Sequence, residues 1–240
     1  MSAPAERLPG LDVLRGIAIV AMAAYHFSWD LDIVGLADVP LLTHPFWLAA
    51  RAVILSSFLV LVGVGQALAF RADQTPTRAG WRLAKIAGAA ALVSVGSYLA
   101  FPNAWIFFGV LHHITVASLL CLALVRLPRW ALLALAAICL AMPLLVSSPV
   151  FAQPWLLWAG LAPWPPVTND YVPLFPWLGV VLLGLAWPEP VVALARRLDV
   201  SRVLAWAGRH ALPIYLLHQP VLLSLLGLYT WATGQGVPLF

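Results

Sequence analysis

Apolar residues run along this chain in long blocks, not in the alternating or one-faced patterns of soluble elements. A helix needs about 20 mostly apolar residues to cross a hydrocarbon core of about 30 Å. Seven stretches approach that length, roughly residues 11–34, 47–70, 80–101, 105–125, 129–148, 172–187 and 209–232, the sixth being short. The pattern predicts an all-α fold: a polytopic membrane helix bundle of about seven transmembrane helices, forming one domain over residues 1–240. Residues 151–166, FAQPWLLWAGLAPWPP, are apolar but broken by Pro and Gly, and read as an interfacial or re-entrant piece. The stretch 190–206 carries Arg196, Arg197, Asp199 and Arg202 and reads as a surface helix.

Composition agrees. Of 240 residues, 63% are hydrophobic and 9% charged, too few polar groups to cover a soluble domain of this size. The net charge of +4 does not call for a nucleic-acid partner, because the cations lie beside apolar spans, where topology accounts for them. Twelve of the 13 basic residues fall at the N-terminus or around the loops between spans two and three, four and five, and six and seven. They are Arg7, Arg15, Arg71, Arg78, Arg82, Lys85, Arg126, Arg129, Arg196, Arg197, Arg202 and Arg209, with Arg51 alone on the other side. The positive-inside bias predicts a cytoplasmic N-terminus and an external C-terminus. The first span lacks the basic stretch and small-residue cleavage site of a signal peptide and is kept as structure. Cys121 and Cys139 lie in apolar runs and read as buried neutral thiols, neither a disulfide nor a metal site.

The chemistry begins in the first span, LDVLRGIAIVAMAAYHFSWDLD, residues 11–32. Ionisable groups within a membrane usually face a partner or a water-filled cavity. Arg15 and His26 are eleven residues apart, close to three turns, so they share a face with a rise of about 16 Å between them. Asp12 is one turn from Arg15 and can pair with it; Asp30 is four residues beyond His26 and can orient its ring. This face offers a cation at one end and a general base or nucleophile at the other, and a long ligand with phosphates at its cytoplasmic end would span it. Against this stands the plainer reading of a snorkelling Arg15 and a His26 bonded to another helix.

Further polar groups interrupt later spans. His112 and His113 in FFGVLHHIT lie about 10 Å below the outer boundary, near the depth of His26, and point about 100° apart. In GRHALPIYLLHQP, Pro220 leaves the Leu216 carbonyl without its usual donor. His218 and Gln219 either satisfy such loosened backbone or line a cavity. Asp170, in the extended TNDYVPLFPW outside the sixth span, could approach His26 from above. Arg78, Arg82 and Lys85 share one helical face at the cytoplasmic start of the third span, as anchors or as a phosphate-binding mouth. There is no glycine-rich nucleotide loop, zinc-ligand spacing or GxSxG elbow, and no metal is expected.

Four stretches, LDVLRGIAIVAMAAYHFSWDLD, FFGVLHHI, DYVPLFPWLGVVLLG and GRHALPIYLLHQPVL, together resemble the bacterial branch of the heparan-α-glucosaminide N-acetyltransferase-like catalytic-domain family. They occur in family order over about residues 8–223. Asp12, Arg15, Gly16 and His26 also match the opening helix of the wider transmembrane acyltransferase superfamily. The resemblance implies a multi-pass enzyme of the bacterial cytoplasmic (inner) membrane. It would move an acetyl group from cytoplasmic acetyl-CoA to an extracytoplasmic saccharide or other polar acceptor, at an amine or a hydroxyl. On that reading His26 deprotonates the acceptor or carries the acyl group transiently. The catalytic set is His26, Asp30, His112, His113 and Asp170; Arg15, Arg82, Lys85, His218 and Gln219 hold acetyl-CoA. A homodimer is a further expectation from the family. The resemblance has departures: lysosomal members carry Asn near the His26 position and a histidine somewhat later, the superfamily's Arg-x-x-Arg is here Arg82-x-x-Lys85, and the long luminal domain has no counterpart, so a heparan substrate is not carried over. The alternative from the residues alone is a transporter or flippase for a small polar or lipid-linked solute, since broken helices and mid-membrane histidines suit that too. A structural subunit is the third reading.

Overall fold

The structure, a computed structural model, describes residues 8–234; Arg7, counted above among the cytoplasmic cations, lies outside them. It is helical: α1 Pro9–Ile33, α2 Pro45–Arg71, α3 Pro76–Ala100, α4 Val110–Leu124, α5 Arg129–Leu145, α6 Leu174–Ala186, α7 Glu189–Arg197, α8 Arg202–Arg209 and α9 Ala211–Ala232. Pro9, Pro45 and Pro76 each open a helix, where the fixed φ suits the first turn and the missing N–H would have had no partner. Short 3₁₀ turns occupy Pro102–Ala104, Pro149–Ala152 and Leu157–Ala159. The apolar 151–166 stretch accordingly forms no long helix. Among the described residues the only β pairing is an isolated parallel bridge between Phe108 and Tyr171.

Helices stand at all seven predicted places, but not all have spanning length. Four, α1, α2, α3 and α9, are long and apolar enough to cross a membrane, and a fifth span results if the bent pair α6 and α7 counts as one. α4, α5 and α6 have 15, 17 and 13 residues, short of the usual 20 or so. α4 starts at Val110 and not near 105 because Phe108 is drawn into the bridge with Tyr171. α6 lies between Pro173 and Pro188, and α7 leaves it at 69°.

The described chain forms two compact units, one of residues 59–193 and one of residues 8–58 with 194–234. In the first, α4 packs on α3 and α6, and α5 packs on α6. Val181 and Leu182 of α6 are fully buried.

In the second unit α1 packs against α8 and α9. Without hydrophobic drive between helices in lipid, close backbone approach through small residues does most of the holding. Gly16 lies against the Leu204 carbonyl and Gly208 against the Asp12 carbonyl, and a Cβ at either would overlap that oxygen. The surface helix expected over 190–206 is therefore two short helices, and α8 is pressed onto α1 through Ala205, Ala207 and Gly208 while Val203 and Trp206 face outward. Ile19, Met22 and Ala207 form a core here, lined by Ile54, Phe58, Ala211, Ile214 and Tyr215. This core lies one to two turns below His26 on α1 and just before His218 on α9.

Candidate functional site

Two turns of α1 and one of α9 meet in a polar ladder within the second unit. Its first rung is His26 against His218, with ring centroids 4.9 Å apart. Its second is Asp30 against Gln219, whose Nε2 donates to Asp30 Oδ1 at 3.0 Å. His26 and Asp30 lie four residues apart on one face of α1; His218 and Gln219 are neighbours about 100° apart on α9, and the packing of α9 against α1 brings each to its rung. The His26 ring also meets Tyr25 edge-on at 6.1 Å, and Tyr25 in turn meets Trp47 at 5.8 Å. The expected His26–Asp30 pairing gives way to a different one: the partner 189 residues away takes the carboxylate oxygen.

The ladder is under-satisfied. Asp30 is 0% exposed, yet its Oδ2 has no hydrogen-bond partner; the buried Gln219 Oε1 and His218 Nε2 have none either. Buried polar atoms are almost always paired, and a missing partner costs about 1–3 kcal/mol, more for a charged group. His218 Nδ1 lies 2.6 Å from the Tyr215 carbonyl. A carbonyl only accepts, so Nδ1 carries the proton, and the lone pair of the neutral ring sits on Nε2. His218 thus serves the backbone with one nitrogen and keeps the other unspent.

The first unit treats its polar groups differently. Asp170 Oδ2 accepts the Val110 N–H at 2.9 Å, capping the positive end of α4. A Cβ at Gly109 would overlap Asp170 Oδ2, so glycine there leaves the capping carboxylate in place. The Gly109 N–H donates to His112 Nδ1 at 3.2 Å. The Ser94 hydroxyl donates to the Ile106 carbonyl at 2.7 Å, so the 3.0 Å contact between Ser94 Oγ and His112 Nε2 is a donation by the ring. Both nitrogens of His112 are therefore consumed. His113 is buried, its Nδ1 donating to the Pro173 carbonyl at 3.1 Å while its Nε2 stays unpartnered.

A second under-satisfied place lies in the same unit, a recess lined by Gln66, Gln74, Arg82 and Ser118 with Ala79, Leu83, Ile86 and Leu122. Ser118 Oγ is buried without a partner. The recess has room for about one water-sized group, and its donors, a guanidinium, two amides and a hydroxyl, suit a single phosphate or carbonyl oxygen reaching in from outside. Lys85, predicted to act with Arg82, is exposed and outside this lining. Arg15 is paired with Asp12 at 3.1 Å.

The structure thus brings together His26, Asp30, His218 and Gln219, gathers His112 and Asp170 separately at the head of α4, and puts Arg82 in the recess. The sequence reading missed Tyr215, Ser94, Gln66, Gln74 and Ser118. Gln66 interrupts an apolar run and carried a readable signal; Ser118, which could bond back to its own turn, and the Tyr215 carbonyl carried none. Among the described residues no group of three or more His, Cys, Asp or Glu is placed to hold a metal ion.

Comparison with known proteins gave no match among curated proteins and none among solved structures. The sequence profile described as "Heparan-alpha-glucosaminide N-acetyltransferase, catalytic" matches residues 7–220, a range holding both the ladder and the recess. With all but the two ends of the chain inside that match, the protein belongs to the heparan-alpha-glucosaminide N-acetyltransferase catalytic-domain family.

Proposed function

We propose that this protein is a membrane acetyltransferase that takes the acetyl group of acetyl-CoA on the cytoplasmic side and delivers it to an amine or hydroxyl of a polar, saccharide-like acceptor on the other side. The whole chain acts as one catalytic domain, in the proposed seven-span topology with a cytoplasmic N-terminus. The observation that carries the reading is the ladder: buried polar atoms without partners, on two long apolar helices, inside the range matched by an acetyltransferase family. His26 stands at its edge, partly exposed and ring to ring with His218, and this histidine pair serves the acetyl transfer, as base or as transient acyl carrier.

Acetyl-CoA supplies an activated thioester when bound. One phosphate or carbonyl oxygen of it matches the donors of the recess, where the orphaned Ser118 Oγ marks an unmet hydrogen bond; Arg82, Gln66, Gln74 and Ser118 would contact that oxygen. Arg15, already paired with Asp12, remains a second cation for the same role.

The test is direct. Acetyl-CoA added to the purified protein raises its melting temperature, since a ligand at 100 times its Kd stabilises by about 2.7 kcal/mol. Free thiol then appears when glucosamine is supplied. Stabilisation by solute without acetyl-CoA, together with solute movement across vesicles and no thiol release, would instead point to transport.

A further inference from the structure

The buried unspent atoms of the ladder are all acceptors, while the half-buried His26 at its edge keeps one ring N–H and one lone pair. Asp30 Oδ2 and Gln219 Oε1 are oxygens without partners, and His218 Nε2 is the lone-pair nitrogen of its ring. The Gln219 amide cannot be turned the other way, because that would set its oxygen against Asp30 Oδ1 in place of the present donation. Such a group of atoms matches a partner rich in N–H or O–H hydrogens and repels carbonyls and phosphates, which would meet lone pairs with lone pairs. It is therefore a poor seat for the thioester or the phosphates of the acyl donor.

The two histidines of the first rung also differ. The tautomer of His218 is fixed by the Tyr215 carbonyl; His26 has ring contacts with Tyr25 and His218 but, among the described residues, no orienting hydrogen bond. A general base needs its proton-accepting nitrogen defined by the bond the other nitrogen makes.

Building on the acetyltransferase reading, we infer that the α1–α9 ladder seats the acetyl acceptor, with His218 Nε2 as the atom that takes its proton and Asp30 Oδ2 and Gln219 Oε1 holding its other hydrogens. His218 Nε2 accepts the proton of the reacting N–H or O–H as that nitrogen or oxygen bonds to the acetyl carbon. The same nitrogen returns the proton to sulfur as the carbon–sulfur bond breaks. Acetylated acceptor and free thiol are the products, and the ring ends neutral. Asp30 and Gln219 then set specificity for donor-bearing acceptors, and neither belongs to the acetyl-CoA site.

The experiment measures thiol release by the full-length protein in lipid nanodiscs, with acetyl-CoA and either glucosamine or glucose varied in turn. His218→Ala should lower kcat by about 10²–10⁴-fold with the KM for acetyl-CoA unchanged, and added imidazole should restore part of the rate. His218→Gln, whose amide can still donate to the Tyr215 carbonyl, should show the same loss and covers the case in which the alanine variant does not fold. Asp30→Asn and Gln219→Leu should raise the KM for glucosamine roughly 10-fold or more and leave that for acetyl-CoA in place. Native turnover in both His218 variants overturns the inference. So does a KM effect that falls on acetyl-CoA, which would return His218 and Gln219 to the donor site. If the native protein releases no thiol with either sugar, the acetyltransferase reading fails and this one with it.

Discussion

His112 at the head of α4 and His218 in α9 are both histidines set in apolar helices, and both bond to main chain. His112 spends both ring nitrogens, on the Gly109 N–H and on Ser94 Oγ, beside an aspartate that caps the same helix. His218 spends one, on the Tyr215 carbonyl, beside an aspartate and a glutamine that each keep an oxygen unpaired. The difference separates architecture from readiness. A saturated polar network in a low-dielectric setting rigidifies what it connects, whereas a partly saturated one is costly unless something completes it. Both clusters look alike as sequence, a histidine or two in an apolar run with an acid elsewhere. The count of satisfied atoms tells His112 from His218; His113, next to His112, keeps its buried Nε2 unpartnered and stands outside the saturated set.

The largest effect expected from this comparison is on turnover. His218→Ala, on the unsaturated side, should lower acetyl transfer by about 10²–10⁴-fold while acetyl-CoA still raises the melting temperature of the variant. His112→Ala, on the saturated side, should keep near-native turnover per folded molecule and show its loss as lower yield and stability. Near-native turnover in His218→Ala combined with a dead, well-folded His112→Ala would reverse the comparison and move the chemistry to α4.

The next effect is on stability. Asp170→Ala leaves the Val110 N–H without its acceptor and removes a negative charge from the head of α4, which should destabilise by about 1–3 kcal/mol. Asp170→Asn keeps an acceptor oxygen and should recover part of that. Thermal unfolding in one detergent reads both. If Asp170→Ala unfolds as the native chain does but fails to transfer acetyl, the aspartate belongs with the chemistry and the cap is incidental.

Much of this contrast was beyond the reach of local pattern. The long helices α1, α2, α3 and α9 were legible because apolar runs of spanning length are a strong one-dimensional signal, and the short α4 was misjudged because its first residues pair with Tyr171, over 60 positions on. The face shared by His26 and Asp30 was legible from helical spacing. Their pairing was not, because the winning partner, Gln219, comes from the other end of the chain. Ser118 passed unnoticed for a physical reason: a serine or threonine in a helix usually bonds back to its own turn, as Thr115 does to the Leu111 carbonyl at 2.8 Å, and nothing local shows that Ser118 does not.

Ser118 extends the comparison to a third place. If an unpartnered buried polar atom marks a ligand contact, the recess around Arg82 should behave as the ladder does. Arg82→Ala should weaken acetyl-CoA binding by about 10-fold or more through loss of a charge-assisted contact, and Ser118→Ala by less. Added salt should weaken binding to the native protein and have a smaller effect on Arg82→Ala. Isothermal titration at two salt concentrations decides it. Unchanged affinity in Arg82→Ala would make the arginine an interfacial anchor and leave Ser118 without an explanation.

The smallest effect belongs to a polar contact that is fully paired but exposed. Arg71 and Glu189, both in the first unit, meet at 2.8 Å with more than half of each side chain open to its surroundings. The hydrogen bond from Arg71 holds the Glu189 carboxyl below its ordinary range. A carboxyl lowered on folding stabilises at full strength above its unfolded value, about 4.3, and that contribution fades as pH falls through the lower folded value. Screening and the freedom of two long side chains keep such a pair to about 0–1 kcal/mol. Glu189→Gln should therefore shift the melting temperature little at neutral pH, less still in high salt, and not at all once the pH is well below the carboxylate range. A loss above about 2 kcal/mol, or one that persists in acid, would mean that satisfaction of hydrogen bonds alone is not what separates α4 from the ladder, and that the burial of His112 and Asp170 has to be weighed separately.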